Sequence, residues 1–318
     1  MATLVELVKF RNDLRDAVTQ LSLTDEVADR IALIDSITNT HTIDESEQYT
    51  AQIVSEYQQL LAKNNSIIDI IKQSISNLES HIQQQVDSID FSQFVEGSVP
   101  FYMSTTDYIE GIIQNRIGAY STWKVPGLQL HCRYIGHQTK NYATANFRTN
   151  VMAACDPLYL AGNDDITLQD MLAAGYAEEY QRRVRLYKIA NRDLSGLPQA
   201  QFGLIVCWDF LNYLSMDAVK WYLDACIRLL RPGGVLVFSY NNCDLERSAQ
   251  LVDEKQACWA TKTLIENLAV SLGYELITTT DLKTNDAMAT WVSWAEIRRP
   301  GVVKTVKASQ AMGAILSK

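Results

Sequence analysis

The first glycine of the chain is Gly97 and the first proline is Pro100. These are the two residue types that most readily end a helix. A stretch this long without either, and rich in Leu, Ile, Gln, Glu and Asp, predicts helix that is continuous or broken once. Its charge is equally distinctive. Residues 1–95 hold 6 Lys and Arg against 15 Asp and Glu, whereas residues 96–318 hold 22 of each, so the whole net charge of −9 belongs to the N-terminal third. The 318-residue chain therefore divides near residue 97.

Within that third, residues 3–37 predict two helices. One places Val8, Leu14, Val18 and Leu21 on a face; the other starts at Thr24 as N-cap, has Asp25 and Glu26 in its first turn, and buries Val27, Ile31 and Ile34. A long helix follows over residues 46–93. Reading its core as Leu60, Asn64, Ile67, Ile71, Ile75, Leu78, Ile82, Val86 and Ile89 gives an eleven-residue period. Eleven residues in three turns is about 3.67 per turn, so a bundle on this stripe is straight or weakly right-handed. Isoleucine at most core positions favours three or more strands, with Asn64 setting register. The expected partner is a second copy of the chain, in a trimer or higher oligomer through residues 46–93. The alternative is packing of the stripe on the chain's own first two helices. Residues 98–127 form a joining region with a short helix capped by Thr106 and carrying Tyr108, Ile109, Ile112, Ile113 and Ile117.

Several function classes lose support on composition. No apolar run approaches the roughly 18 residues of a membrane span, and Glu6, Lys9, Arg11, Asp13 and Arg15 interrupt any secretory signal core. The six cysteines form no CxxC pair and sit mostly in apolar runs, as reduced, buried thiols do; the four histidines include no HExxH. No metal is expected. The compartment expected is a reducing one, the cytoplasm, with a virion as the other setting.

Beyond Pro126 short apolar runs at 128–132, 151–155, 184–190, 202–208, 234–240, 275–279 and 290–297 alternate with helical patterns, notably 216–230 with Ser215 as N-cap, and 253–272. Such alternation predicts an α/β domain over residues 128–299, a doubly wound, mostly parallel sheet of seven strands, with residues 300–318 as a tail. These sheets bind ligands at the carboxyl ends of their strands, near the switch point of strand order.

The run Leu229-Leu230-Arg231-Pro232-Gly233-Gly234-Val235-Leu236-Val237-Phe238 resembles the helix end, turn and fifth strand of class I S-adenosylmethionine-dependent methyltransferases. Phe202-Gly203-Leu204-Ile205-Val206-Cys207-Trp208-Asp209 resembles their fourth strand, and Phe210-Leu211-Asn212-Tyr213-Leu214 the segment after it. The resemblance covers about residues 126–298 and implies a Rossmann-like methyltransferase domain with S-adenosylmethionine as cofactor. It carries several residue roles with it. Val151-Met152-Ala153-Ala154-Cys155-Asp156 matches a second strand ending in an acidic residue, which makes Asp156 the partner of the ribose hydroxyls. Asp193 and Leu194, after the third strand, fall where the adenine is contacted, and Cys207 lies at the end of the fourth strand. The stretch 128–139 corresponds to the family's glycine-rich first loop but keeps only Gly136; Arg133 there offers a fork of donors to the cofactor carboxylate.

Methyl transfer is an in-line displacement in which positioning the acceptor matters most. Asp209 is the candidate to orient or deprotonate an acceptor, and Trp208 to present a π face to the sulfonium or adenine. Tyr240, Asn241 and Asn242, after the fifth strand, are candidates for the acceptor site. Each also has an ordinary structural role open to it: Trp208 as core, Asp209 as a helix cap, Asn241 and Asn242 as a turn. The charge balance of residues 96–318 lacks the basic excess of a nucleic-acid reader, so a small-molecule or protein acceptor is expected. Two functions are compatible with this reading. One is a methyltransferase oligomerised through its N-terminal helices; the other is a non-catalytic assembly protein, such as a virion component, built on a degenerate methyltransferase fold.

Overall fold

A computed structural model describes residues 3–22, 45–89, 115–121, 125–130, 155–163, 165, 168–169, 172–173, 178–208, 210–255, 257–282 and 292–301. The chain forms two units, Met1–Asp90 and Phe91–Lys318.

In the first unit, helix α1 (Leu4–Ser22) packs on the long helix α2 (Glu45–Asp87). A capping box starts α1: the Glu6 N–H donates to Thr3 Oγ1 at 3.3 Å, and the Thr3 N–H donates to Glu6 Oε2 at 2.9 Å. The pairing is antiparallel, since Asn64 Nδ2 donates to the Leu21 carbonyl at 3.1 Å while Arg15, earlier in α1, pairs with Glu79, later in α2. Leu4, Leu7 and Val8 of α1 and Ile68, Ile82 and Val86 of α2 are buried.

Burial along α2 corrects two positions of the eleven-residue stripe. Leu60 and Ile67, placed in the core by that period, are 59% and 49% exposed. The covered positions are Leu61, Asn64, Ile68, Ile71, Ile75, Leu78, Ile82, Gln85, Val86 and Ile89; from Leu61 to Ile82 they step by three and four as in a heptad seam, while Val86 and Ile89 are covered as the stripe expects. The cause of the ambiguity is local: the doublets Leu60-Leu61 and Ile67-Ile68 offer an apolar residue to either period. Packing against α1 selects the second member of each. The helix expected at residues 24–37 lies outside the described residues.

The second unit is built on seven strands: β1 (Gly127–Gln129), β2 (Leu158–Gly162), β3 (Val184–Lys188), β4 (Phe202–Cys207), β5 (Leu230–Tyr240), β6 (Glu275–Leu282) and β7 (Val292–Arg298). Their order is β3-β2-β1-β4-β5-β7-β6. All pairs are parallel except those of β7, which is antiparallel to both β5 and β6. Described helices are α3 (Glu178–Gln181), α4 (Met216–Leu229), α5 (Glu246–Asp253) and α6 (Lys262–Ser271). Ser215 caps α4 as expected, its side chain accepting from the Ala218 N–H. The single helix expected at 253–272 is instead α5 and α6. Lys255, at φ 56°, ends the first, and the Thr261 side chain restarts the second by accepting from the Leu264 N–H. Between them Cys258, Trp259 and Ala260 are buried.

Alternation along the central strands gives the sheet two apolar faces. Ile205, Cys207, Leu236, Phe238 and Tyr240 pack with Val219, Tyr222, Leu223 and Cys226 of α4 and Ile265 and Ala269 of α6. Leu204, Val206, Val235, Val237 and Trp294 pack on the other side with Ile117 and Leu160. The Pro232-Gly233-Gly234 turn needs both glycines. Gly233 has φ 75°, and a Cβ on Gly234 would lie 2.7 Å from the Phe202 carbonyl oxygen of the neighbouring strand. All five described cysteines are buried thiols; burial pushes those of Cys226 and Cys258 up to about 12.

One charged residue lies in the second face. Glu296 of β7 is 1% exposed and accepts from Arg116 Nε at 2.5 Å, from Tyr120 Oη at 2.7 Å and from Trp294 Nε1 at 3.1 Å. Arg116 belongs to a helical turn over residues 115–118, so this carboxylate fastens the segment before β1 to the sheet. Burial pushes Glu296 up, but the bonds from Arg116, Tyr120 and Trp294 outweigh it and hold the group below the usual carboxylate range. Its contribution to stability is therefore present above that range and is lost as pH falls through the folded-state value. Replacing Glu296 with Ala is expected to cost roughly 3 kcal/mol at neutral pH, measured by urea unfolding with tryptophan fluorescence. The gap between the native protein and Glu296→Gln should narrow on acidification.

Candidate functional site

Strand order reverses between β1 and β4: the chain proceeds from β1 outward to β2 and β3 on one side, and from β4 outward to β5 on the other. In sheets of this kind ligands bind at the carboxyl edge at such a switch point. Leu130 closes the strand pair below it, its N–H donating to the Val206 carbonyl at 2.8 Å. Leu130 and Cys207 are buried and supply an apolar floor. Trp208, the next residue along β4, is partly buried, with its ring centroid 6.4 Å from that of Trp294. Arg133, Gly136 and Asp209 lie outside the described residues.

Asp156 does not reach this edge. The strand expected to end at Asp156 begins after it, at Leu158, so Asp156 stands at the amino end of β2. There its N–H donates to the Val125 carbonyl and its half-exposed carboxylate pairs with Arg183 Nε at 3.4 Å. The carboxyl end of β2 runs instead into Asn163-Asp164-Asp165. Asp165 pairs with Lys188, at the end of β3, at 2.7 Å. The sequence signal for this was present in Leu158-Tyr159-Leu160-Ala161-Gly162 followed directly by three polar residues, but the preceding apolar run drew the strand forward by several positions.

After β3 the chain turns tightly. Asn191 and Arg192 adopt φ of 52° and 60°, and the Asp193 N–H donates to the Ala190 carbonyl at 2.8 Å. Asp193 is exposed, and its carboxylate accepts from the Ser195 N–H at 2.8 Å; hydrogen bonding by the side chain and then the backbone of Ser195 holds it below its ordinary range. Leu194 is buried in the core. No helix forms between β3 and β4, and a groove of about 620 Å³ lies between this segment and α4, lined by Asn191, Arg192, Asp193, Trp221 and Arg228.

Asn241 and Asn242, candidates for the acceptor, are buried and engaged in structure. Asn241 Nδ2 donates to the carbonyls of Ser248 and Cys258, each at 3.1 Å. Asn242 Nδ2 donates to Asp281 Oδ1 at 3.1 Å, and its Oδ1 accepts from the N–H groups of Asp244 and Lys262. These amides tie the loop after β5 to α5, α6 and the end of β6. Tyr240 lies beneath them with its ring 2% exposed.

The strand order, with an antiparallel β7 inserted between β5 and β6, decides the fold. It is the class I methyltransferase fold. Solved structures similar to this chain include the N-methyltransferase NodS of Bradyrhizobium japonicum WM9, at 17% identity over 61% of this chain and 98% of that one, TM-score 0.44. An S-adenosylmethionine-dependent methyltransferase from Mesorhizobium loti is 15% identical over 60% and 97%, TM-score 0.42. One from Leishmania major is 13% identical over 60% and 74%, TM-score 0.43. No protein-family model matches the sequence, and no curated protein matches it. Among the described residues, no group of His, Cys, Asp and Glu could hold a metal ion, and no helix is long and apolar enough to cross a membrane.

The placement of these groups separates structural from surface roles. Asn241→Ala should lower stability by roughly 2 kcal/mol, because it strips two buried carbonyls of their donor. Asp156→Ala should change it by less than about 1 kcal/mol, as for an exposed ion pair. Chemical denaturation of both variants checks the contrast.

Proposed function

We propose that the second unit binds S-adenosylmethionine across the carboxyl ends of β1, β2 and β4 and transfers its methyl group to a small-molecule or protein acceptor. The observation that carries this reading is the β1–β4 switch point within this particular strand order. The residues around it suit such a ligand. Leu130 and Cys207 give an apolar floor, Trp208 an aromatic surface, and Asn163 and Asp165 polar acceptors at the end of β2 where ribose hydroxyls are bound in this fold. Bound there, the cofactor would supply an electrophilic methyl on a sulfonium.

The protein's own part is to hold and orient. Trp208, braced on Trp294, presents a π face to positive charge. The apolar floor keeps water from the reacting end. Asp209, directly after Trp208 in sequence, remains the candidate to orient the acceptor or take its proton.

The first unit fits a role in self-association. Phe10, Leu60, Ile67 and Ile70 are large apolar side chains left 49–64% exposed on α1 and α2. A second copy of the chain is the partner we assign to them.

Two experiments test this reading. Calorimetric titration with S-adenosylmethionine and S-adenosylhomocysteine should give dissociation constants on the order of micromolar, weakened in Asp165→Ala and Trp208→Ala and unchanged in Asp156→Ala. Absence of heat and of any thermal shift would overturn the enzymatic reading in favour of an assembly protein on a methyltransferase fold. Sedimentation equilibrium of the full chain should show an oligomer that Ile67→Asp combined with Ile70→Asp dissociates; a monomer in both forms would overturn the self-association.

A further inference from the structure

The carboxyl ends of β5 and β6 and the amino end of the antiparallel β7 between them carry one cross-strand row, Tyr240, Ser293 and Asp281, in which Ser293 is paired with both neighbours. Residues directly opposite in a sheet project from the same face. Ser293 Oγ and Asn242 Nδ2 both donate to Asp281 Oδ1, at 2.5 and 3.1 Å, so neither of these bonds uses Oδ2. Asp244 stands above the row, its Oδ2 accepting from the N–H of Lys262, the first residue of α6. Glu266, one turn further along α6, accepts from Thr279 Oγ1.

The phenol of Tyr240 is the exception in this well-bonded region. The residue is 2% exposed, and its hydroxyl is buried with no hydrogen-bond partner among the described residues. Burial pushes its pKa strongly upward, and the carboxylates of Asp281, Asp244 and Glu266 push it the same way. A buried hydroxyl without a partner is costly, and such a group calls for an explanation in an arriving polar atom.

The chemistry of the surroundings selects that atom. Three carboxylates exclude an anion. The acids do not converge into a set able to hold a metal ion, among the described residues. A cationic N–H group meets both requirements, donating to the phenolic oxygen and pairing with Asp281.

We propose that the end of the sheet at Tyr240 and Asp281 anchors the ammonium group of a small alkylammonium compound, which identifies the substrate class of the acceptor site. The inference rests on the methyltransferase reading, because it places this anchor on the carboxyl edge shared with Trp208. The anchored group is bound as a cation, with Tyr240 Oη as acceptor and Asp281 as counter-charge.

The test uses the full chain and methylammonium chloride as probe, with sodium chloride at matched ionic strength as reference. Methylammonium is expected to raise the melting temperature above the sodium reference, with the apparent affinity falling roughly tenfold or more in Tyr240→Phe and in Asp281→Asn. Tyr240→Phe keeps the ring in the core and is decisive alone if Asp281→Asn does not fold. An equal response to the two salts overturns the proposal. So does a methylammonium response that survives intact in Tyr240→Phe, which would make the phenol a core residue only. Titration with S-adenosylhomocysteine on the same samples separates the two readings: cofactor binding without an ammonium response rejects the anchor alone, and absence of cofactor binding rejects the enzymatic reading whatever the ammonium result.

Discussion

The carboxylate of Glu296 is the interaction on which the second unit most depends. A lone ionised group in the interior would be prohibitively costly, so this one exists only because three donors converge on it. Those donors come from separated parts of the chain: Arg116 and Tyr120 before β1, and Trp294 on β7 itself. Through them the segment entering the domain is fixed to the last strand of the sheet. The same Trp294 is the brace for Trp208. Entry segment, final strand and candidate ligand edge are thereby linked by one set of contacts.

That edge divides into two halves of different character. Between β1 and β4 the strands end at the buried, apolar Leu130 and Cys207. Beyond β5 the edge is closed by amide groups, with Asn241 and Asn242 binding the loop, both following helices and β6 into a bonded layer.

The sequence was most legible where periodicity and local chemistry agreed. Strands β3, β4, β5 and β7 fall near their expected positions because each is an apolar run bounded by turn residues, and α4 begins at Ser215 because a hydroxyl before an amphipathic run is a strong start signal. Legibility failed where two apolar choices lay side by side. The Leu60-Leu61 and Ile67-Ile68 doublets permitted two helical periods, and only the partner helix distinguishes them. At β2 the apolar residues before Asp156 competed with those after it, and pairing with β1 and β3 selected the later run. That shift moved Asp156 to the opposite edge of the sheet. The roles of Asn241 and Asn242 were not legible for a different reason: a side-chain amide after a strand can face a ligand or its own backbone, and the choice depends on partners 7 and 17 residues along the chain for Asn241 and 39 for Asn242.

The buried cysteines give the second unit an internal clock. Cys155 precedes β2, Cys207 ends β4, Cys226 lies in α4, Cys243 follows β5 and Cys258 precedes α6, so each marks a different part of the sheet and its cover. A thiol shielded from solvent reacts with an alkylating reagent only when its surroundings open. The order in which these five positions become labelled in the native protein would therefore read out, element by element, which parts of the domain come apart first.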